Sequence, residues 1–122
     1  MSAELGRKLW FFADGELPPP GVGHLVGHES LVVLNPNSTD ATVRVCLYWA
    51  DRDPDVFSVN VPARRVRCVR TNDPEQMGGI VVPPEVQYAI SLTSNVGIVV
   101  QYGRLDVRQA NMAFYPSTGF SQ

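Results

Sequence analysis

Apolar and polar side chains alternate along much of this chain, which is the period of a β-strand with one buried face. The alternation is clearest in Thr42–Trp49, where Val43, Val45 and Leu47 share one face and the intervening residues occupy the other. Phe57–Val61 alternates in the same way. Both segments are therefore predicted to be strands of a sheet that covers an apolar core.

Several other segments carry a strand pattern of the same or a related kind. Short continuous apolar runs fit strands that are buried on both faces. The further predicted strands are Tyr88–Ser94, Leu31–Leu34 and Ile98–Val100, with weaker patterns in Arg7–Ala13, Arg64–Arg70 and Ala110–Tyr115.

Turn-forming residues separate these segments. Asn35–Ser38, Asp51–Asp55 and Ser94–Gly97 carry the Asn, Asp, Pro and Gly residues typical of turns, and Asn72–Pro84 is the longest predicted loop. Because ten prolines and ten glycines are spread over the chain, long helices are hard to place. Only Asp106–Ala113 offers room for one or two helical turns.

The length of 122 residues predicts one domain that spans residues 1–122. Seven or eight short strands joined by tight turns favour an all-β fold with antiparallel pairing. We therefore predict a single antiparallel β-sandwich or jelly-roll-like domain.

Charge and hydropathy narrow the classes of function. The formal net charge of -2 weighs against nucleic acid as the partner, since such proteins are usually strongly basic. No apolar run approaches the roughly 18 residues of a membrane span, and no export signal follows Arg7 and Lys8, so we expect a cytoplasmic protein without membrane insertion. Cys46 and Cys68 are predicted to be buried thiols, with a disulfide or metal pair as the alternative.

Motifs for cofactors, metals and hydrolysis are incomplete. Gly21–Gly27 lacks the spacing of a dinucleotide-binding loop, and Asp51–Asp55 opens like a calcium loop without its glycine at the sixth position. His24 and His28 would lie about 13 Å apart on a strand, too far to share a metal, although a loop could bring them together with Glu29. We therefore predict no cofactor, no resident metal and no enzymatic activity.

Nine of the ten basic residues are arginine, a side chain suited to carboxylates, phosphates and buried pairs. Arg64, Arg65, Arg67 and Arg70 would place charge on both faces of one strand, which predicts an edge or interface strand. The cluster fits a solvated edge, a subunit contact or a cleft for an anionic ligand.

A second group of polar residues follows the last long strand. If that strand continues, Arg104, Asp106 and Arg108 form a ladder on one face, where Asp106 could orient both guanidinium groups. Gln101 would lie on the opposite face unless a bulge intervenes. The ladder fits either a structural salt-bridge network at an interface or the polar surface of a ligand-binding site.

A third group has the chemistry of a sugar site: it combines Trp10 and Asp14–Gly15 with His28–Ser30, and so offers an aromatic ring, carboxylates, an imidazole and a hydroxyl. An indole ring can pack against sugar C–H groups while carboxylate and imidazole groups bind the hydroxyls. The alternative for Trp10 is an ordinary place in the core.

Six segments, taken in order, resemble the sensory rhodopsin transducer family. PARR, followed by RxND and then VVQxxRLDxRQA, is the most specific part of this resemblance, which runs from Gly6 to about Ala113. The sequence departs from the family pattern at Gly97, where proline is usual, and at Asp14, where glutamate is common. The segments are Gly6–Trp10, Asp14–Pro18, His28–Ser30, Val61–Arg65, Arg70–Asp73 and Ser94–Ala110.

The resemblance implies a small soluble β-sandwich that assembles as a homotetramer and senses a small polar ligand, a sugar or sugar derivative, for a signalling partner. The alternatives are a transducer that docks on a microbial rhodopsin in the membrane, a DNA-binding regulator and a carbohydrate-active enzyme using Glu29 or Asp106 as an acid. The shared polar positions are our candidate ligand-binding residues: Trp10, His28, Glu29, Arg64, Arg65, Arg70, Asn72, Gln101, Arg104, Asp106, Arg108 and Gln109.

Overall fold

A computed structural model describes residues 3–108 and 112–122, which contain eight β-strands and no helix. Within those ranges there is accordingly no helix long and apolar enough to cross a membrane. The strands are β1 (Arg7–Glu16), β2 (His28–Asn35), β3 (Ala41–Trp49), β4 (Asp55–Val61), β5 (Arg65–Arg70), β6 (Gln87–Asp106), β7 (Ala113–Ser117) and β8 (Phe120–Ser121).

The strands form two antiparallel sheets that share the long strand β6. The first sheet has the order β4-β3-β6-β1-β8, and in the second β2 lies between β5 and β6 while β7 pairs with the other side of β6. Val43, Val45 and Leu47 of β3 pack in one apolar core with Leu31 and Val33 of β2, and each is almost fully buried. The predicted all-β antiparallel sandwich is confirmed.

β6 differs from the prediction of two strands divided by a turn at Ser94–Gly97. It is one strand of 20 residues, in which Ser94 is the last residue paired with β3, opposite Val43. Ile98 still pairs with Arg7 of β1 in the first sheet, and pairing with β2 in the second sheet begins at Val99, opposite Leu34. The turn-forming residues Ser94–Gly97 instead lie within β6, between the part paired with β3 and the part paired with β2. The Asn95 side chain accepts a hydrogen bond from the Thr42 amide (2.7 Å), and so satisfies a donor next to the point where the sheets separate.

The remaining boundaries depart from prediction in smaller ways. β7 begins at Ala113, later than predicted, and residues 109–111 lie outside the described part of the chain. The ends of the possible helical segment, Asp106 and Ala113, lie in β6 and β7.

The prediction of buried thiols is wrong, because Cys46 and Cys68 lie on strand positions that face outward. Both thiols are free, and Cys46 is half-buried while Cys68 is exposed.

Two loops cover one end of the sandwich, next to the start of β2. The long loop of residues 71–86 buries Met77 and Val82, and the loop that follows β1 buries Leu17. The two loops are joined where the Glu85 amide donates to the Leu17 carbonyl (2.7 Å). Thr71 at the start of the long loop and Glu16 at the end of β1 are thereby placed beside Glu29 at the end of the core.

Candidate functional site

A fully buried carboxylate, that of Glu29, lies at the centre of a polar cluster between the two sheets. Its Oε1 accepts hydrogen bonds from the hydroxyls of Thr71 (2.9 Å) and Tyr88 (2.6 Å). Its Oε2 accepts from the Glu16 amide (3.0 Å) and from the hydroxyl of Tyr102. Four donors therefore offset the cost of burying this group, and we call these five residues the Glu29 cluster.

The fold explains how residues distant in sequence meet here. Glu29 points inward from β2 and pairs in register with Arg104 of β6. Tyr102 lies two residues before Arg104 on the same face of β6, whereas Tyr88 comes from the part of β6 that belongs to the first sheet. The cluster thus joins β1, β2, both halves of β6 and the loop after β5.

Arg104 connects the Glu29 cluster to the surface. Its Nε donates to the Tyr102 hydroxyl (3.1 Å), its Nη1 to the Tyr115 hydroxyl (3.3 Å) and its Nη2 to the Asp14 carbonyl (3.2 Å). The guanidinium also lies over the Tyr102 and Tyr115 rings, at 5.8 and 5.3 Å from their centroids. A single hydroxyl therefore separates a positive charge near the surface from the buried carboxylate.

The electrostatics of this arrangement hold both tyrosines in the neutral form. Burial, and then the neighbouring Glu29 carboxylate, raise the pKa of Tyr88 and the pKa of Tyr102 well above the ordinary value. Burial alone would lower the pKa of Arg104, but its hydrogen bonds to Tyr102 and Tyr115 outweigh that effect and raise it. Tyr102 can therefore donate to Glu29 and accept from Arg104 at the same time.

Asp106 and Arg108 form a separate pair at the end of β6. Arg108 Nε lies 3.0 and 2.9 Å from the two carboxylate oxygens of Asp106, and Arg108 also approaches Glu85 at 3.5 Å. Hydrogen bonding to Arg108 lowers the pKa of the Asp106 carboxyl. The predicted ladder is therefore wrong in one respect, because Asp106 binds Arg108 while the Arg104 side chain turns to the tyrosines.

Trp10 and Gln101, two candidate binding residues, meet at a surface hollow of about 350 Å³. The Trp10 indole is mostly buried, and its N–H donates to the carbonyls of Arg7 (3.0 Å) and Ile98 (3.2 Å). Gln101 points outward, opposite to Arg104, as the strand parity predicts. The hollow, which we call the Trp10 hollow, is lined by Trp10, Val99, Val100, Gln101, Pro116, Ser117 and Thr118.

The Trp10 hollow lies close to Arg104 along β7. Ser117 pairs with Tyr102, and Tyr115 pairs with Arg104, so Ser117 and Tyr115 share one face of β7 at neighbouring positions. Such positions are about 7 Å apart. Ser117 of the hollow therefore lies on the same face of β7 as Tyr115, whose hydroxyl binds the Arg104 guanidinium.

The other candidate residues lie elsewhere. Arg70 and Asn72 line a second, polar hollow of about 490 Å³ beside Cys68, and His28 Nδ1 lies 2.8 Å from the Val26 carbonyl. The twelve candidates therefore do not form one site, and Gln109 lies outside the described residues.

The arginine-rich segment forms the exposed edge strand that was predicted. Among the strands of residues 3–108 and 112–122, β5 pairs with β2 alone, and Arg67 donates to the Asn60 carbonyl of β4 (3.1 Å), across the open edge of the sandwich. Arg65 donates to the Arg64 carbonyl (3.2 Å), and Arg64 itself has a positive φ of 56° in the turn before β5. Two of these arginines are thus engaged by backbone oxygens.

Sequence reasoning missed four residues that complete the site. Tyr102 had a detectable signal, since strand parity places it on the same face as Arg104, and so had Thr71, which lies within the family-like segment Arg70–Asp73. Tyr88 and Tyr115 had none, because their proximity to Glu29 or Arg104 depends on strand register. Residues 3–108 and 112–122 hold no group of three His, Cys, Asp or Glu side chains that could bind a metal.

Comparison with known proteins places the chain in a family. The family model for the Anabaena sensory rhodopsin transducer matches residues 5–121. The fold is similar to the crystal structure of Thermotoga maritima 1070, with a TM-score of 0.84 and 30% identity over 96% of each chain. It is also similar to the Anabaena sensory rhodopsin transducer, with a TM-score of 0.71 and 36% identity over 83% of this chain and 99% of that one. No curated protein matches the chain. The chain therefore belongs to the Anabaena sensory rhodopsin transducer family.

Proposed function

We propose that this protein is a signalling module that binds a small polar ligand, a sugar or sugar acid, and transmits its bound state to a protein partner. The observation that carries the proposal is the Trp10 hollow, where Trp10 and Gln101 lie beside the hydroxyl-bearing Ser117 and Thr118. Membership of a transducer family supports the signalling part.

The chemistry of the Trp10 hollow suits a monosaccharide. Its volume of about 350 Å³ falls at the lower end of the range of roughly 300–1,000 Å³ for small-molecule sites. Trp10, Val99 and Pro116 offer apolar surface to C–H groups, while Gln101 and two hydroxyls can bind the hydroxyls of a sugar.

Arg104 extends this site toward a carboxylate-bearing ligand. Its ion pair with Asp14 is loose, at 3.8 Å, and the Asp14 side chain is 79% exposed. The Arg104 side chain is itself only 11% exposed, but a long pair whose acidic partner lies in solvent contributes little to stability, so a ligand carboxylate could displace Asp14 at low cost. A sugar acid fits this combination of groups better than a neutral sugar.

We also propose that the ligand is bound without being converted. Glu29 has four donors on its two oxygens, and both oxygens of Asp106 bind Arg108, so neither carboxyl is placed to transfer a proton to a ligand. The proposed outcome of binding is instead a change in the hydrogen bonds of Arg104, which leads to Glu29 through Tyr102.

The family resemblance further supports a cytoplasmic homotetramer. Light scattering after size-exclusion chromatography measures this directly. Four times the 13.4 kDa chain mass is the expected result, and a monomer at micromolar concentration would contradict it.

Titration calorimetry with D-galacturonate, D-glucuronate and D-galactose tests the ligand site. We expect the acids to bind more tightly than galactose, and Gln101→Ala to weaken binding at least tenfold. Thr93→Ala, an exposed position on the outer face of the first sheet, is the matched control and should bind as wild type. Binding that is unchanged in Gln101→Ala, or no binding at millimolar ligand, would refute the site.

A second candidate function is docking on a microbial rhodopsin, which the name of the matched family suggests. The outer face of the second sheet carries a row of exposed apolar side chains, Val66, Leu34 and Val99, which pair in register across β5, β2 and β6. Such a row is typical of a protein interface. Leu34→Asp should abolish co-purification with a rhodopsin in nanodiscs, and retention by that variant would exclude this face.

A further inference from the structure

The Glu29 cluster also borders a second hollow, whose lining includes the buried Thr71. This hollow, which we call the Thr71 hollow, lies between the loop after β1 and the loop after β5. Its volume of about 230 Å³ is below the roughly 300–1,000 Å³ of typical small-molecule sites, so it can hold only a small ligand. Its walls are mostly proline and aliphatic side chains, including Leu17, Pro18, Val82 and Pro84, and none of its described lining residues is charged. It therefore differs in chemistry from the Trp10 hollow.

The walls of the Thr71 hollow are already in a shape that can receive a ligand. Pro18 and Pro84 have fixed φ angles, and the two loops are joined by the hydrogen bond from the Glu85 amide to the Leu17 carbonyl. A rigid wall loses little conformational entropy when a ligand binds.

The polar groups of this hollow are few, which restricts the ligand class. Thr71 uses its proton for Glu29, so its oxygen can only accept a further hydrogen bond, and the exposed Asn72 amide is the other polar side chain of the lining. A charged or polyhydroxylated ligand would lose hydration without finding hydrogen-bond partners, which disfavours its binding. A compact apolar ring with one hydrogen-bonding group meets every group that the hollow presents.

A continuous chain of hydrogen bonds leads from this hollow to Arg104. Thr71 donates to Glu29 Oε1 (2.9 Å), Tyr102 donates to Glu29 Oε2, and Arg104 Nε donates to the Tyr102 hydroxyl (3.1 Å). All members except Arg104 are buried. Since a buried donor or acceptor cannot exchange its partner for water, a change at Thr71 must be taken up by Glu29 and its other donors.

We infer that the Thr71 hollow is a second ligand site, for a compact apolar ring compound with a single hydrogen-bonding group, and that its occupancy is coupled to Arg104. The inference rests on the proposed function only for the role of Arg104 in ligand binding. Binding in the hollow and the response of Arg104 are measurable without any sugar. If both sites are used, coupling is reciprocal, so a ligand at either site changes the affinity at the other by the same factor.

NMR spectroscopy of the full chain, with indole and benzyl alcohol as probes, tests the inference. We expect saturable shifts of the Asn72 and Val82 amides, with the Nε–H resonance of Arg104 moving along the same binding curve. Shifts confined to other parts of the surface, or none at 10 mM probe, would overturn the site. An Arg104 resonance that stays fixed while the hollow fills would overturn the coupling.

A matched pair of variants distinguishes coupling through the Tyr102 hydroxyl from a general loosening of the core. Tyr102→Phe and Tyr88→Phe each remove one hydroxyl that donates to Glu29, but only Tyr102 contacts Arg104. Tyr102→Phe should retain probe binding and abolish the Arg104 response, whereas Tyr88→Phe should retain both. Equal responses in the two variants would refute the path through Tyr102. Because no sugar is used, failure of the sugar titrations and failure here are independent results.

Discussion

Replacing Tyr102 by phenylalanine should destabilise the fold more than the same change at Tyr88. Both rings lie in the core and both hydroxyls donate to Glu29, so the two substitutions remove the same atom from comparable surroundings. The difference is that the Tyr102 hydroxyl also accepts from Arg104 Nε at 3.1 Å. Its loss breaks two bonds to charged groups, whereas loss of the Tyr88 hydroxyl breaks one.

The size of each effect follows from the number of bonds lost. A hydrogen bond to a charged group contributes about 1.5–3 kcal/mol to the free energy of unfolding. Tyr88→Phe should therefore cost about 2 kcal/mol, and Tyr102→Phe about 3–4 kcal/mol because it also separates Arg104 from the buried carboxylate. For a domain of 122 residues, each kcal/mol corresponds to roughly 3–5 °C in Tm.

Urea unfolding followed by circular dichroism measures both values on one scale. The m-value should be unchanged in both variants, since the surface exposed on unfolding is the same. A cost below about 1 kcal/mol for Tyr102→Phe, or a cost for Tyr88→Phe equal to it, would show that Arg104 does not stabilise Glu29 through this hydroxyl.

Three further outcomes are expected. Because burial and Glu29 raise the folded-state pKa of Tyr88 and of Tyr102, the unfolded state loses these protons first as the pH rises above about 10. The free energy of unfolding, measured by urea titration, should therefore fall between about pH 10 and 11.5. It should fall less steeply in the Tyr88→Phe/Tyr102→Phe double variant, and an equal loss in both proteins would contradict this. Gly97→Ala should cost about 1–3 kcal/mol in thermal melts, because the added Cβ would overlap the Leu5 carbonyl oxygen of the N-terminal segment, and an unchanged Tm would refute that contact. Arg64→Gly should stabilise the fold by up to about 1 kcal/mol, because its φ of 56° suits glycine, whereas Arg65→Gly within β5 should destabilise it; a reversed order would exclude strain at Arg64.

Strand alternation predicted the fold where one face of a strand is buried. β3 is the clearest case, since Val43, Val45 and Leu47 all lie in the core as their spacing indicates. The same rule failed at Ser94–Gly97, where turn-forming residues serve a strand that passes from one sheet to the other. Local sequence does not distinguish a turn between two strands from a bend within one strand, because both need backbone flexibility and polar side chains that bind free backbone groups.

The candidate site was predictable only in part, for a related reason. Arg104 and Glu29 were identified from their chemistry, and strand parity placed Gln101 opposite Arg104 correctly. That Glu29 and Arg104 belong to one hydrogen-bonded network could not be predicted from the sequence. It depends on the register between β2 and β6 and on the position of Thr71 in a loop. Trp10 was predicted to form one site with His28 and Glu29, but the structure places it in the lining of a hollow with Gln101.

The most direct test of the ligand-sensing account is the fluorescence of Trp10 during a titration with D-galacturonate. The chain has two tryptophans, so Trp49→Phe leaves Trp10 as the sole reporter, inside the proposed site. The account predicts a saturable change in emission that is weakened at least tenfold by Gln101→Ala and also weakened by Arg104→Lys. Emission that stays constant up to millimolar ligand, while calorimetry shows binding, would place the ligand elsewhere and contradict the account.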